Sequence, residues 1–265
     1  MILFPPAKIN LGLRVLRKRE DGYHEIETCM VAIPLCDVLE ILPADEFKFS
    51  QSGLKVDSVP SDNLCVRAYD KLNKEFNLPP VHIHLLKIIP MGAGLGGGSA
   101  DATYVLKGLN SFFNLDLPED RLRAIAAELG SDCPFFVSEI PQIAKGRGEE
   151  LSPFKLDLSG YYLKIVNPGI HVSTGEAYAN VKFDAGNPEL SELLTEPMSK
   201  WKSTLKNSFE ESIFPHHPAI EEIKKSMYNQ GAIYSAMSGS GSTVFGIFEN
   251  EPSSDEDGFV RVLRF

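Results

Sequence analysis

Residues 90–102 read PMGAGLGGGSADA, and five of the seven positions from Gly92 to Gly98 are glycine. Lacking Cβ atoms, such a run reaches positive φ and turns successive backbone N–H groups into one concavity, which suits a polyphosphate but wastes folding entropy in an ordinary loop. Ser99 to Asn110 follow with a helical pattern, so the positive end of a helix dipole points at the same anion. Gly92, Gly94 and Gly97 also spell G-x-G-x-x-G, the dinucleotide fingerprint. Against that reading, the acid expected roughly twenty residues on would be Asp116, and Pro118 with a new helix follows it instead of a parallel strand. A Walker A loop fails because no Gly-Lys-Ser/Thr follows the glycines. A purely structural tight turn remains the plain alternative, although five glycines exceed what a β-turn needs.

The chain has 265 residues, enough for one large or two modest domains, with hydrophobic and charged shares of 43% and 23% that suit a globular protein. Lys and Arg number 26 against 36 acids, a net charge of −10 that argues against a general nucleic-acid surface. An anion must therefore be held by local geometry. No apolar window is long enough for a membrane span and the N-terminus MILFPPAKIN has no secretory pattern, so the expected location is the cytoplasm, with no membrane partner. Cys29, Cys36, Cys65 and Cys133 form no C-x-x-C pair and read as buried free thiols.

Ile9, Leu11, Leu13 and Val15 alternate with Asn10, Gly12 and Arg14, the period of a strand with one buried face, which places Lys8 and Asn10 together on the other. A helix is expected from about Asp62 to Phe76 behind a Ser61/Asp62 cap, and a strand across Val81 to Ile89 delivers the chain to the glycine loop. Pro118 opens another helix that Gly130 stops, and the apolar run Phe135, Phe136, Val137 reads as a buried strand. A strand at Tyr161 to Val166, helices around Ser199 to Ile213 and Pro218 to Met227, the turn GSGS at 238–241, a strand from Thr243 to Phe248 and a last strand from Phe259 follow. The acidic stretch at 249–258 reads as a solvated loop. The class is α+β.

PAKINLGL at 6–13, DGYHEIET at 21–28, PMGAGLGGGSADA at 90–102, SDCPFF at 131–136 and MSGSGSTVF at 237–245 together resemble the GHMP small-molecule kinases, in order and over nearly the whole chain. Within that superfamily, DGYHE and the HVSTGEAY at 171–178 resemble the branch that uses ATP to phosphorylate the 2-hydroxyl of a cytidine-diphosphate methylerythritol in non-mevalonate isoprenoid synthesis. The resemblance implies a two-lobed fold, with a ribosomal-S5-domain-2-like N-terminal domain over 1–150, a ferredoxin-like C-terminal domain over 151–265, and the active site between them. It also implies ATP as co-substrate, with Mg2+ whose ligands no residue here identifies. Oligomeric state is left open.

Phosphoryl transfer is mostly positioning and charge stabilisation, plus a group that orients or deprotonates the attacking hydroxyl. Asp132 matches the family's catalytic aspartate, and Lys8 the lysine placed beside it, where a cation keeps the carboxylate ionised. Their plain alternatives are a turn aspartate and a strand-end lysine. Gly92, Gly94, Gly96, Gly97, Gly98 and Ser99 match the ATP cradle, and Asn63, Leu64 and Lys87 match positions near the nucleotide. Helix capping, core packing and a strand-face charge are the alternatives for those three. Tyr23 and Tyr178 match aromatics that sandwich the cytosine, His24 the group reading its edge, and Asn10 and Thr174 further substrate contacts, with Thr174 equally a helix cap. Gly239, Ser240 and Gly241 match a turn that closes the site, or form a plain strand connection.

Three departures from the family pattern stand out. Cys133 replaces an aliphatic residue, Lys145 stands where arginine is expected, and no helix is legible between Phe248 and Phe259. Other GHMP kinases, acting on homoserine, mevalonate or a sugar, and a non-catalytic nucleotide-binding regulator are the competing functions. Tyr23, His24 and Tyr178 argue against the first, and the joint presence of Lys8 and Asp132 against the second.

Overall fold

The computed structural model describes residues 1–55 and 63–265; the expected Ser61/Asp62 cap lies outside the described residues. The chain divides into two compact units, the first made of Met1–Ala7, Leu35–Met91 and Gly96–Glu139, the second of Lys8–Pro34, Gly92–Leu95 and Ile140–Phe265. Both are discontinuous, so this division does not follow a single cut near residue 150. The reason is that two 13-residue strands, β2 (Pro6–Lys18) and β3 (His24–Cys36), pair with one another and β3 pairs with β7 (Gln142–Lys145), which draws the N-terminal hairpin into the second unit.

The first unit is built on a sheet of order β1 (Ile2–Leu3), β4 (Val38–Pro43), β6 (Val81–Lys87), β5 (Lys48–Gly53). β4 runs antiparallel to β6 with Ile41 opposite Ile83, while β5 is parallel to it. The apolar face meets α1 (Leu64–Phe76), α2 (Gly97–Phe112) and α3 (Glu119–Ala127), whose Leu72, Val105, Leu109 and Ile125 join Leu39, Ile41, Ile83 and Leu85 in one core. The expected buried strand after Asp132 is instead a short 3-10 helix over Cys133–Val137 with every residue buried. A run of apolar residues this short does not by itself distinguish the two.

The second unit holds two antiparallel sheets. One orders β2, β3, β7 and β8 (Glu150–Pro153); the other orders β10 (Tyr234–Met237), β11 (Val244–Phe248), β9 (Tyr162–Asn167) and β12 (Phe259–Arg264). Both faces of β2 are covered, against the one-faced expectation: Lys8, Asn10 and Arg14 are as buried as Ile9 and Leu11. They are tolerated because they are paired, Arg14 with Glu27 at 3.2 Å and with Asp184 at 2.6 Å. The expected helix across Ser199 to Ile213 is two, α6 (Met198–Thr204) and α7 (Glu210–Ile213), separated around Asn207. Residues 249–258 contain no helix, but they are more than a solvated loop: Glu256 pairs with the buried Lys164 ammonium and accepts from Gln230 at 2.5 Å.

Candidate functional site

Gly92, Gly94 and Gly96 carry the positive φ values, 60°, 79° and 69°, so the alternate glycines supply the left-handed turns. Gly96 is the N-cap of the 16-residue α2 and, having no side chain, supplies no cap hydrogen bond to its first N–H groups. Gly97 has a different reason to be glycine. It is helical, and a Cβ there would meet Ile89 Cγ2 and Lys87 Nζ, each at 2.9 Å.

Lys87 is fully buried, its ammonium paired with Asp37 and, at 2.8 Å, with Asp101, so it is not an exposed strand-face charge. Asn63 is the N-cap of α1, its Oδ1 accepting from the Cys65 N–H at 2.8 Å, and Leu64 packs half-buried on the core. The plain alternatives for these two describe what their side chains do in the structure.

Asp132 precedes the 3-10 helix, and the loop is fixed from α2: the Thr103 hydroxyl donates to the carbonyls of Ser99 and Cys133, both at 2.9 Å. One hydroxyl thus ties the first turn of α2 to the residue after Asp132. Burial pushes the Cys133 thiol up to about 11, so it is inert packing beside that loop.

In the second unit, Lys8 Nζ donates to Asn10 Oδ1 at 2.7 Å, Asn10 Nδ2 to Thr28 Oγ1 at 3.1 Å, and Thr28 Oγ1 to the Gly12 carbonyl at 2.5 Å. This chain orients the Asn10 amide and holds one direction of the Lys8 ammonium. The turn at 238–241 packs beside it. A Cβ on Gly239 would lie 3.1 Å from Gly94 Cα and 3.6 Å from Asn10 Oδ1, and Asn207 Nδ2 secures the turn by donating to the carbonyls of Met237 and Gly239 at 2.7 and 2.8 Å. GSGS is therefore a turn built to accept the glycine loop at close range.

His24 stacks on Tyr178, ring centroids 4.4 Å apart and planes within 19°, and Tyr178 is braced edge-on by Phe209. Tyr23 is 56% exposed and its ring lies under the Arg147 guanidinium at 4.8 Å. Burial, then the charge of Lys18, holds the His24 imidazole below its usual range, so it is neutral at pH 7. Thr174 is the exposed first residue of α4 (Thr174–Ala179), and the cap is Ser173, whose Oγ accepts from the Glu176 N–H at 3.1 Å. Lys145 pairs with Glu27 and Glu189, each at 3.6 Å.

Asp37, Asp101, Thr28, Thr103, Arg147 and Asn207 are further polar residues of these groups. Asp101 lies inside the glycine motif, one helical turn after Gly97, and Thr28 closes the DGYHEIET motif; the other four stand in none of the quoted motifs. Among the described residues no cluster of three or more His, Cys, Asp or Glu could hold a metal ion.

Residues 63–139 match the GHMP kinases N terminal domain and 187–258 the GHMP kinases C terminal domain. A 4-diphosphocytidyl-2-C-methyl-D-erythritol kinase of Parabacteroides distasonis is 51% identical over 94% of this chain and 92% of its own. The chain belongs to this kinase family. A family member from Azobacteroides pseudotrichonymphae is 52% identical over 94% of each chain. The crystal structure of a 4-(cytidine 5'-diphospho)-2C-methyl-D-erythritol kinase superposes with a TM-score of 0.80 at 34% identity, covering 95% of this chain and 91% of that one. Methanococcus jannaschii mevalonate kinase, at 14% identity and a TM-score of 0.70 over 99% of this chain and 96% of its own, shares the GHMP fold.

Proposed function

We propose that the protein transfers the γ-phosphoryl group of ATP to the 2-hydroxyl of 4-diphosphocytidyl-2-C-methyl-D-erythritol, a step of non-mevalonate isoprenoid precursor synthesis. The observation that carries the reading is an identity of about half, over nearly the full length, to relatives of that name. The α2 N-terminus behind three left-handed glycines supports the nucleotide half of it.

In the reaction the substrate oxygen bonds to the γ-phosphorus, the bond from that phosphorus to the β,γ-bridging oxygen breaks, ADP leaves, and the hydroxyl proton is lost. We assign that proton to the Asp132 carboxylate and the charge on the transferred group to Lys8, with Asn10 oriented beside Lys8 by Thr28. Backbone groups of 92–98 and Ser99 would hold the phosphates, and residues near Asn63 and Leu64 the adenine. Mg2+ would arrive with ATP and neutralise its phosphates. Tyr23, His24 and Tyr178 would recognise cytosine, with Thr174 nearby in sequence as a further substrate contact. The two matched family segments lie on either side of residue 150, which we retain as the division between nucleotide-side and substrate-side domains. The proposed location is the cytoplasm; no described helix is long and apolar enough to cross a membrane.

The test is a phosphoryl-transfer assay with ATP and three acceptors. Phosphorylation of the cytidine-diphosphate substrate, with homoserine and mevalonate inert, is expected. Turnover of either of the latter at a comparable kcat/KM overturns the assignment.

A further inference from the structure

Directly beneath the start of α2 lies a buried group of three charges that the proposed reaction does not use. Asp37 accepts from the backbone N–H groups of Ile88 and Ile89 at 2.5 and 2.8 Å through one carboxylate oxygen and pairs with Lys87 through the other. Lys87 spans to Asp101 on α2 at 2.8 Å. All three side chains are at most 2% exposed, and Asp101 Oδ1 is buried with no hydrogen-bond partner. An ion group of this kind is weak evidence for stability, because apolar residues of similar volume often replace one at no cost. Its place is therefore the informative fact. Lys87 Nζ lies 2.9 Å from where a Gly97 Cβ would be, so the ammonium touches the first residue of α2 from below.

We propose that Asp37, Lys87 and Asp101 are positioning residues for the nucleotide, a buried charge cluster that fixes the junction between the glycine loop and α2 and sets the charge beneath the phosphates. The inference rests on reading that junction as the nucleotide site. With both carboxylates ionised the cluster carries one net negative charge, and with Asp101 protonated it is neutral. The groups facing Asp101 are Lys87, Asp37 and the thiol of Cys65 on α1. Burial raises the Asp101 carboxyl to about 7, Lys87 opposing and Asp37 reinforcing the rise, so both charge states are populated near neutrality. A bound polyanion favours the neutral state. By reciprocity, nucleotide binding draws a proton onto Asp101, and losing that proton weakens nucleotide binding.

The experiment measures Mg-ADP binding by calorimetry at pH 6 and 8.5, and at pH 7 in two buffers of different ionisation enthalpy. It compares the wild-type protein with Asp101→Asn, which keeps the shape and the oxygen facing Lys87, and with Lys87→Met. We expect the wild-type Kd to rise about tenfold more than that of Asp101→Asn between the two pH values, the factor for one pKa unit of coupling. Proton uptake on binding should be larger in wild type than in Asp101→Asn, and the difference between the two cancels the nucleotide's own titration. Lys87→Met, if it folds, should bind weaker at both pH values, and if it does not fold the Asp101→Asn comparison decides alone. Wild-type binding whose pH dependence and proton uptake survive Asp101→Asn undiminished overturns the proposal, as does a folded Lys87→Met of unchanged Kd. A wild-type protein that binds no nucleotide instead overturns the nucleotide-site reading beneath it.

Discussion

The Ser238 hydroxyl donates to the Gly94 carbonyl at 2.9 Å, and a Cβ on Gly94 would fall 1.9 Å from the Ser238 carbonyl oxygen. No side chain fits between two backbones this close, and at φ +79° an L-residue is strained even in open space. Gly94→Ala must separate the loop from the turn. It should lower stability by about 2 kcal/mol or more, the sum expected of a strained residue and a displaced backbone, read as a shift in the urea midpoint. Gly98→Ala is the contrast. Its Cβ would meet only the flexible end of Met91, at 3.3 Å, and alanine favours a helix by ~0.5–1 kcal/mol. Equal midpoints for the two variants would refute the close-approach argument.

Asp132→Asn removes a proton acceptor while nearly keeping the side-chain shape. If Asp132 takes the proton of the attacking hydroxyl, kcat should fall by roughly two or more orders of magnitude, the scale of lost acid/base help, with KM for ATP little changed. Retention of more than about a tenth of wild-type kcat, judged on that scale, reduces Asp132 to a turn residue.

Local demands were legible in the sequence and distant partnerships were not. The left-handed turns at Gly92, Gly94 and Gly96 are requirements of the backbone itself, so the composition of residues 92–98 announces them. The partners of Lys87 lie 50 and 14 positions away, and no period connects them. Gly97 was legible as glycine for the wrong reason, since its constraint comes from the Lys87 and Ile89 side chains beneath it and not from φ. The break between α6 and α7 has no local signal because it depends on Asn207 being drawn to carbonyls 30 and 32 residues away. For β2, alternation suggested a wet face, but internal pairing of Lys8, Asn10 and Arg14 lets polar residues lie on a covered one.

Asp101 also governs how stability responds to pH. Its carboxyl titrates near 7 in the folded protein against an ordinary 3.8, so the folded state favours the protonated form. That contribution is complete below the ordinary value and is lost as pH rises through about 7. From pH 5.5 to 8.5 the wild type should lose about 2 kcal/mol relative to Asp101→Asn, at 1.36 kcal/mol per pH unit over roughly 1.5 units. Parallel stability profiles from chemical denaturation at the two pH values count against a raised Asp101.

The substrate end separates this protein from other GHMP kinases, and its geometry sharpens what each variant should do. His24 lies flat on Tyr178, whereas Tyr23 is exposed beneath Arg147. A cytosine held between Tyr23 and Tyr178 must therefore displace or slide along the His24 ring. Tyr178→Ala removes the stacking partner of both, and should cost on the order of 1 to 3 kcal/mol of acceptor binding, the range for a base stacked on an aromatic. Tyr23→Ala should fall in the same range, and Arg147→Ala should lose less because it only braces that ring. ATP affinity should hold in all three. His24→Ala should narrow the preference for the cytidine over the uridine form of the acceptor, whose base edges differ in donors and acceptors. Because His24 is neutral at pH 7, lowering the pH until it charges should weaken acceptor binding in wild type but not in His24→Ala. Dissociation constants for ATP and for both acceptors at pH 5.5 and 7.5 decide the matter. Equal losses of ATP and acceptor point to core packing, and unchanged acceptor binding in every variant removes these residues from the substrate site.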